Sequence, residues 1–375
     1  ENKFVRSKHI SAKTKKRYIV QDLRRKLSML TGYIEGYYGV ELSWKERDSI
    51  VSKLHEVGCN TYFYCPKEDP YHRVKWKEDY PIDWMRDFKE FKSNADNAGI
   101  DIIFGISPGA SLELSDFEHL ERKIEAFKEV SVENFCILFD DIPKEKEQFS
   151  LHREILELCL KKFPNINFSC VPSQYCKNMV ENSNNHYLVE LDKVDISVPF
   201  FWTGNQVITS NYSNNNIESW KTMFREERKL IIWDNTFAND YCVPKIVMQN
   251  FDDFFSREDN KISGFLLNAS GVEFIDLIAI EILDNTLKGN NRTLEDILKD
   301  RGLPKELINL CNFFKINISS SFSDDEKKDL DFLLWNWSGK IKTFFYPYLH
   351  QLNQIFNETN NHETDALKKR FRIKE

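Results

Sequence analysis

The feature that most constrains the fold of this chain is a regular alternation of short apolar runs with longer charged segments. Eight runs rich in β-branched and aromatic residues lie at 32–39, 60–66, 101–109, 134–141, 166–175, 195–204, 229–235 and 262–270. Strands that alternate with helical segments pair in parallel, so eight such units over about 240 residues predict an α/β fold, a (β/α)8 or TIM barrel. An open doubly wound sheet is the alternative, but no glycine-rich phosphate loop follows the first run.

The alternation stops near residue 290, and the two ends of the chain have a different character. Residues 290–375 show helical spacing without strand signals, and Ser323 with Glu326 forms the pattern of a capping box. The first thirty residues are strongly basic, which indicates a solvated tail or, alternatively, an arm that docks on a membrane or a partner. The predicted division is a basic segment at 1–30, a barrel at 31–289 and a C-terminal helical domain from residue 290.

An aromatic stripe runs along the predicted C-terminal helices, and its members are Phe332, Trp335, Phe344, Phe345 and Tyr348. Aromatic residues at helical spacing most often belong to a core, which is the first interpretation. A homodimer interface through these helices, or a stalk beside a substrate groove, is the alternative.

Composition excludes several classes of partner. Lys plus Arg number 52 against 59 Asp plus Glu, giving a formal net charge of -7, whereas nucleic-acid binders are usually basic. No run approaches ~18 apolar residues and no apolar leader is visible, so no membrane is expected and a cytoplasmic protein is predicted. Because the chain begins with Glu1 rather than Met, a trimmed leader is the alternative. The eight cysteines form no CxxC pair, which disfavours zinc and fits a reducing compartment.

The functional site of a (β/α)8 barrel lies at the C-terminal ends of its strands. Polar or aromatic residues stand at these ends: Glu35 with Gly36, Lys67, Asp140 with Asp141, Tyr175, Trp202, Asn235 and Asn268. Aromatic side chains cover the apolar face of a pyranose, while amides and carboxylates bind its hydroxyls, so the set predicts a sugar site. Glu35 is interpreted as a buried, paired residue rather than a catalytic one.

The adjacent carboxylates of Asp140 and Asp141 indicate glycoside hydrolysis of an unusual kind. Ordinary retaining hydrolases place two carboxyl groups ~5–5.5 Å apart across the sugar. Neighbours on one strand point to opposite faces and cannot straddle a bond in this way. The pair fits substrate-assisted hydrolysis better, in which the 2-acetamido oxygen of the substrate attacks C1. One carboxylate then orients the amide N–H, and the other protonates the leaving oxygen.

Eight motifs over residues 32 to 285 resemble glycoside hydrolase family 84, the β-N-acetylglucosaminidases. In chain order they are "EGYYG", "NTYFYCPKEDPYHRVKW", "ISPG", "LFDDI", "VPSQYC", "FWTG", "IIWDNTFAND" and "LLNASGVEF". The resemblance implies a retaining enzyme that removes terminal β-linked GlcNAc from a glycan or glycoprotein through an oxazoline intermediate. It implies no metal and no cofactor.

The resemblance also implies a role for each site residue. Asp140 would orient the acetamido N–H, Asp141 would act as general acid and then base, and Tyr175 would hold the acetamido carbonyl. Asp140 is expected to be ionised and Asp141 protonated at the start, since a second ionisation beside the first is costly. The implied substrate-binding residues are Gly36, Lys67, Asn235, Asp240 and Asn268 for the hydroxyls, Val171 and Trp233 for the acetamide pocket, and Trp202 and Thr203 for the pocket floor.

Two positions depart from the family pattern. Leu42 stands where the family has Trp, and Ala269 follows Asn268 where a Pro is usual. Both are expected on rim loops that contact the aglycone or the outer hydroxyls. A bacterial polysaccharide or another N-acylated sugar is therefore an alternative substrate, and a non-catalytic carbohydrate-binding barrel is an alternative function.

Overall fold

A computed structural model describes residues 29–143, 149–182, 186–251, 253–254, 262–318, 321–357 and 362–373, with the backbone alone for Phe149 and residues 362–364. The predicted basic segment at 1–30 therefore lies outside the described residues except for its last two positions. In the described part of the chain, no helix combines the length and the apolar character that a bilayer span requires.

Eight parallel strands close into a barrel, which confirms the predicted fold. They are β1 Leu30–Glu35, β2 Thr61–Tyr64, β3 Asp101–Ile106, β4 Asn134–Leu138, β5 Asn167–Val171, β6 Phe200–Trp202, β7 Leu230–Asp234 and β8 Gly264–Asn268. The sheet closes where β1 pairs with β8, with Leu30 opposite Gly264. Several strands end earlier than the apolar runs, because the last residues of each run already belong to the loops that form the rim.

Helices connect the strands and continue after the barrel. They are α1 Trp44–Val57, α2 Ile82–Ala98, α3 Phe117–Glu129, α4 Phe149–Lys162, α5 Lys177–Glu181, α6 Tyr187–Leu191, α7 Asn214–Lys221, α8 Glu273–Leu287, α9 Leu294–Asp300, α10 Lys305–Asn309, α11 Asp324–Trp335, α12 Lys342–Asn357 and α13 His362–Arg370. Gly58 and Gly99 are the C-caps of α1 and α2, with φ of 80° and 75°, in the left-handed region. Between β7 and β8 the described residues contain a 3-10 helix, Asp240–Cys242, and a short strand, Asp253–Phe254, that pairs with Asn211–Tyr212.

The barrel strands bury two different faces. Inward side chains such as Ile34, Phe63 and Leu266 fill the barrel interior, while their neighbours in sequence pack against the helices. The same alternation governs β6, where Phe201 belongs to the inner cluster and Trp202 to the outer one. Strand register therefore decides which residues can reach a site at the end of the barrel.

Glu35 is buried and paired, as predicted. Its partner is Arg47 of α1, so the ion pair lies between the barrel and that helix. The Glu35 carboxylate is fully buried and accepts two hydrogen bonds from the Arg47 guanidinium, from Nε at 2.9 Å and Nη2 at 2.8 Å. The Tyr62 hydroxyl donates a third at 2.6 Å. Because Gly36 follows directly, this pair fixes the end of β1 where the rim begins.

The C-terminal helices bury only part of the aromatic stripe. Phe345 and Tyr348 are fully buried, whereas Phe332, Trp335 and Phe344 are 37%, 66% and 44% exposed. The core interpretation thus holds for two of the five residues. The predicted capping box is present, with the Ser323 hydroxyl and the Glu326 carboxylate each bonded to the other residue's backbone N–H.

We expect Arg47→Met to lower the free energy of unfolding by about 3–5 kcal/mol, because it leaves the Glu35 carboxylate buried without its cation. Glu35→Gln should also destabilise the protein, since it leaves Arg47 without its main partner. The double variant removes both charges and should recover a large part of the loss, as measured by urea unfolding. Additive losses in the double variant would contradict an energetically coupled pair.

Candidate active site

A cavity of about 330 Å³ lies at the C-terminal ends of the barrel strands. Residues that follow six of the strands line it, among them Gly36 after β1, Lys67 after β2 and Tyr175 after β5. Of the twelve residues proposed from the sequence, the structure brings all but Trp202 to this cavity: Gly36, Lys67, Asp140, Asp141, Val171, Tyr175, Thr203, Trp233, Asn235, Asp240 and Asn268. The volume is within the range of pockets that hold one small ligand.

The expectation that Trp202 shapes the pocket floor is not met. Trp202 is fully buried outside the barrel interior, where its ring packs edge-on against Phe224 with 5.2 Å between centroids. Successive side chains of a strand point to opposite faces, so Phe201 lines the cavity instead. The error is a shift of one residue in the register of β6.

Both aspartates reach the same cavity because the strand ends before them. Strand β4 stops at Leu138, and Asp141 has φ of 54°, in the left-handed region that Asp adopts more readily than most residues. The alternation that separates neighbours on a strand therefore no longer applies. Asp140 is 6% exposed, whereas the side chain of Asp141 is 30% exposed.

Lys67 holds the doublet together. Its ammonium donates a hydrogen bond to Asp140 Oδ2 and lies 3.7 Å from Asp141 Oδ2. Burial alone lowers the pKa of Lys67, but the two nearby carboxylates outweigh it and raise the pKa above its usual range. Lys67 therefore stays charged in the cavity.

One oxygen of Asp140 has no partner. In the described part of the chain, Oδ1 is buried and accepts no hydrogen bond, while Oδ2 is bonded to Lys67. A buried acceptor left unsatisfied costs free energy. Asp140 lines the cavity, so this oxygen is an unused acceptor in a residue of the cavity wall.

Donors surround Asp141. The hydroxyl of Tyr38 donates to Oδ2 at 2.8 Å, and the hydroxyl of Tyr175 donates to Oδ1 at 3.2 Å. Arg73 donates both to the Tyr38 hydroxyl and, at 3.2 Å, to the backbone carbonyl of Asp141. Burial raises the pKa of Asp141, but Lys67 and these donors outweigh it, so the pKa is lowered from its ordinary value. These contacts favour the ionised form of Asp141, whereas the sequence predicts a protonated acid at the start of the reaction.

An amide network orders the opposite side of the cavity. Asn268 Oδ1 accepts from the backbone N–H of Gly36 at 3.1 Å, which fixes the orientation of that amide. Asn268 Nδ2 donates to Asn235 Oδ1 at 2.9 Å, and the Trp233 indole donates to the same oxygen at 2.8 Å. Asn235 Nδ2 in turn donates to the carbonyl of Val207 at 2.9 Å. The network holds the ends of β1, β7 and β8 in one arrangement before any ligand binds.

The remaining predicted residues complete the wall. Val171 and Trp233 form an apolar surface, and a Cβ added to Gly36 would lie 2.5 Å from the Trp233 ring, so only glycine fits there. Thr203 donates to the carbonyl of Gln206 at 2.8 Å and shapes the loop after β6. Asp240 Oδ2 accepts a hydrogen bond from the backbone N–H of Tyr38 at 3.1 Å.

Six lining residues were not proposed from the sequence, namely Tyr38, Phe201, Val207, Ile208, Ala238 and Tyr241. Tyr38 lies in the "EGYYG" motif, so its place beside the end of β1 was a usable signal. The others lie on long loops or depend on register, and no local pattern marks them.

The two departures from the family pattern lie in loops that follow strand ends, as expected, but both side chains are buried. Leu42 is 4% exposed and belongs to the outer core. Ala269 is fully buried, and its N–H donates to the carbonyl of Ile34. Neither residue lines the cavity. Among the described residues, no three His, Cys, Asp or Glu side chains form a group that could hold a metal ion.

Comparison with known proteins agrees with the motifs. A family model described as beta-N-acetylglucosaminidase matches residues 31–285, which confirms the resemblance drawn from the sequence. Protein O-GlcNAcase of Rattus norvegicus and that of Mus musculus are each 27% identical to the chain over 286 residues. The match covers 72% of this chain and 31% of each relative, so the chain spans about a third of their length.

Solved structures share the fold. The protein CpGH84B is 25% identical, with a TM-score of 0.66 over 92% of this chain and 65% of that one. A mutant O-GlcNAc hydrolase from Thermobaculum terrenum is 21% identical, with a TM-score of 0.72 over 90% of this chain and 82% of that one. The second likeness concerns the fold alone.

We expect Tyr38→Phe to raise the pKa of Asp141, because it removes a hydrogen bond that the ionised carboxylate accepts. Carboxyl ¹³C NMR of protein labelled at aspartate, with Asp141→Asn to assign the signal, measures the pKa. Tyr37→Phe is the matched control, since the Tyr37 hydroxyl bonds the backbone carbonyl of Val40 instead. An unchanged or lower pKa in Tyr38→Phe would show that Tyr38 does not control the ionisation of Asp141.

Proposed function

Because the chain belongs to the β-N-acetylglucosaminidase family, glycoside hydrolase family 84, we propose that it is a retaining hydrolase of terminal β-linked GlcNAc. It uses substrate-assisted catalysis, in which the 2-acetamido oxygen attacks C1 and forms an oxazoline. The observation that carries this proposal is the buried, unpartnered Oδ1 of Asp140 in the cavity wall. A carboxylate oxygen in that position is the acceptor that an acetamido N–H requires.

The two carboxylates act in sequence. Asp140 accepts a hydrogen bond from the acetamido N–H, which makes the amide oxygen a better nucleophile, and it takes this proton as the oxazoline forms and returns it when water opens the ring. As this oxygen bonds to C1, the bond from C1 to the aglycone breaks, and Asp141 gives its proton to the leaving oxygen. Asp141 then takes a proton from water, which attacks C1 and opens the oxazoline. Two inversions at C1 give net retention.

Lys67 makes the first role of Asp140 possible. The ammonium bonds Oδ2, so Oδ1 is the oxygen of Asp140 left to accept a hydrogen bond from the substrate. As the amide nitrogen gains positive charge in forming the oxazoline, its hydrogen bond to an ionised carboxylate strengthens. The interaction is therefore stronger in the transition state than in the ground state, which is what accelerates the reaction.

Asp141 must gain a proton before it can act as an acid, although Lys67 and the surrounding donors lower its pKa. Substrate changes two of the causes. Tyr175, which now donates to Asp141, would turn to the acetamido carbonyl and take its hydrogen bond with it. A bound sugar also excludes water from Asp141, and desolvation raises the pKa of a carboxyl group. Both changes favour the protonated acid in the complex.

The other residues bind the sugar. In this proposal Val171 and Trp233 enclose the acetamide methyl, and Thr203 supports the loop beside it. The remaining predicted groups bind hydroxyls, namely the backbone of Gly36 and the side chains of Lys67, Asn235, Asp240 and Asn268. The amide network supports this assignment, because it holds these groups in place before binding and so lowers the entropy cost of the complex.

In this proposal the GlcNAc that the enzyme removes is attached to a protein. The names of the rat and mouse relatives specify protein-borne O-GlcNAc. The alternative of a polysaccharide substrate rested on Leu42 and Ala269, and both residues lie away from the cavity. A non-catalytic barrel is disfavoured because the unpaired Asp140 oxygen would lower the stability of such a protein and serve no reaction.

We further propose the domain division at 1–30, 31–289 and 290–375 and a cytoplasmic location. All eight cysteines are buried, and none of them forms a disulfide in the described part of the chain, which fits a reducing compartment.

Homodimerisation through the C-terminal helices is part of the proposal, since Phe332, Trp335 and Phe344 leave apolar surface exposed there. Light scattering after size exclusion should show a dimer for the wild type and a monomer for Trp335→Asp. Val189→Asp is the control, because Val189 is 62% exposed on α6, away from these helices. A monomeric wild type at high protein concentration would contradict the dimer.

Asp141→Asn should lower kcat/KM by about 10²–10⁴-fold for substrates with poor leaving groups and far less for activated aryl β-GlcNAc glycosides. Asp140→Asn should impair both classes, because each needs the acetamide as nucleophile. A thiazoline mimic of the oxazoline should inhibit the wild type. Asp83→Asn, on the exposed start of α2, controls for the loss of a carboxylate. Equal losses on both substrate classes in Asp141→Asn would remove its role as acid.

A further inference from the structure

A second groove continues from the catalytic cavity towards the C-terminal helices. It has a volume of about 530 Å³ and shares Val207, Ile208 and Tyr241 with the cavity. The remaining wall includes Met179, from α5, and Arg372, from the segment after α13. Because the leaving oxygen points out of the sugar pocket, a groove that opens beside the pocket is placed to receive the aglycone.

Arg372 is held at the wall of this groove by its backbone. Its carbonyl accepts a hydrogen bond from Ile318 N–H at 3.2 Å. The preceding carbonyl, of Phe371, accepts from the buried ammonium of Lys245 at 2.8 Å, and Lys245 also bonds the carbonyl of Ile316 at 2.6 Å. The loop after β7 and the end of the helical region are thus joined at the residue beside Arg372.

The Arg372 guanidinium has no anionic partner among the described residues. Its Cζ lies 5.2 Å from the centre of the Tyr241 ring, and no ion pair within 4.0 Å involves it in that part of the chain. Among the described residues that line the groove, it is the one with a charged side chain. The basic residues Lys368, Lys369 and Arg370 precede it at the end of α13 but do not line the groove, so Arg372 is the cation that faces a ligand there.

We propose that this groove binds the aglycone as an extended polypeptide and that Arg372 selects an acidic side chain of it. The inference rests on the proposed function and adds the substrate class. Tyr241 lines both the cavity and the groove, and Arg372 Cζ lies 5.2 Å from its ring centre, so an extended chain of about three residues leads from the sugar to the guanidinium. A guanidinium binds a carboxylate through two parallel hydrogen bonds, which suits it to this task.

The groove favours a polypeptide over an acidic polysaccharide. A sugar chain would need an aromatic face to stack on, and the aromatic residue of the groove, Tyr241, already has Arg372 over its ring. The other lining residues combine apolar side chains with the amides of Asn178, Asn182 and Gln206. Amides pair with peptide groups, and the apolar surfaces of Met179 and Val207 accept side chains.

Synthetic glycopeptides test this proposal. Each carries one Ser-linked GlcNAc in an otherwise neutral sequence, with a single Glu, Gln or Lys at one of the positions on either side. For the wild type we expect kcat/KM to be about fivefold higher for Glu than for Lys at one or two positions about three residues from the sugar. Arg372→Glu should reverse this ratio, and raised salt should weaken the preference in both proteins.

The ratio is measured within each variant, so it does not depend on the amount of active protein. Arg370→Glu makes the same charge change on an exposed residue that does not line the groove, and it should keep the wild-type ratio. The proposal is overturned if Arg372→Glu keeps the wild-type preference or if no position shows one. Cleavage of uronate-containing GlcNAc oligosaccharides but not of glycopeptides would also overturn it. Absence of aryl β-GlcNAc turnover by the wild type would instead overturn the proposed function.

Discussion

The site depends first on the ion pair between Lys67 and the carboxylates at the end of β4. Asp140 and Asp141 are neighbours in one cavity, where two adjacent carboxylates repel each other unless a cation lies beside them. Lys67 supplies it, bonded to Asp140 and 3.7 Å from Asp141. Since one oxygen of Asp140 takes up the ammonium, the other is left as the acceptor that gives the cavity its chemical character. The ammonium therefore offsets part of the negative charge of the doublet and differentiates its two members.

Two features around this ion pair lower the stability of the protein, and a purely structural barrel would lack them. Asp141 adopts a left-handed backbone, and Asp140 keeps a buried oxygen without a partner in the described part of the chain. Each costs free energy, and such features persist where surrounding contacts determine them. Here the determining contacts are hydrogen bonds from Arg73. Arg73 bonds both the carbonyl of Asp141 and the Tyr38 hydroxyl that meets its carboxylate, so the turn is held from backbone and side chain together.

The sequence was informative wherever chemistry and strand ends coincide. Asp140, Asp141 and Lys67 could be assigned to one rim because each follows an apolar run, and the barrel brings such positions together. The prediction for Trp202 was wrong because side chains along a strand alternate between two faces. The end of an apolar run does not show which face its last residue takes. The prediction that Leu42 contacts the substrate was wrong for a related reason. A departure from the family pattern in a loop does not reveal whether the side chain points outward.

Arg372 was beyond any local signal, because its position depends on a contact between segments 126 residues apart. That contact is Lys245, a buried lysine whose ammonium bonds the carbonyls of Ile316 and Phe371. Burial, and then the positive charge of Arg372, lower the pKa of Lys245 to about 7. A carboxylate bound at Arg372 would offset that repulsion and raise the pKa of Lys245. The same lysine that fixes the arginine would then be stabilised in its charged form by the ligand the arginine binds, so anchoring and recognition reinforce each other.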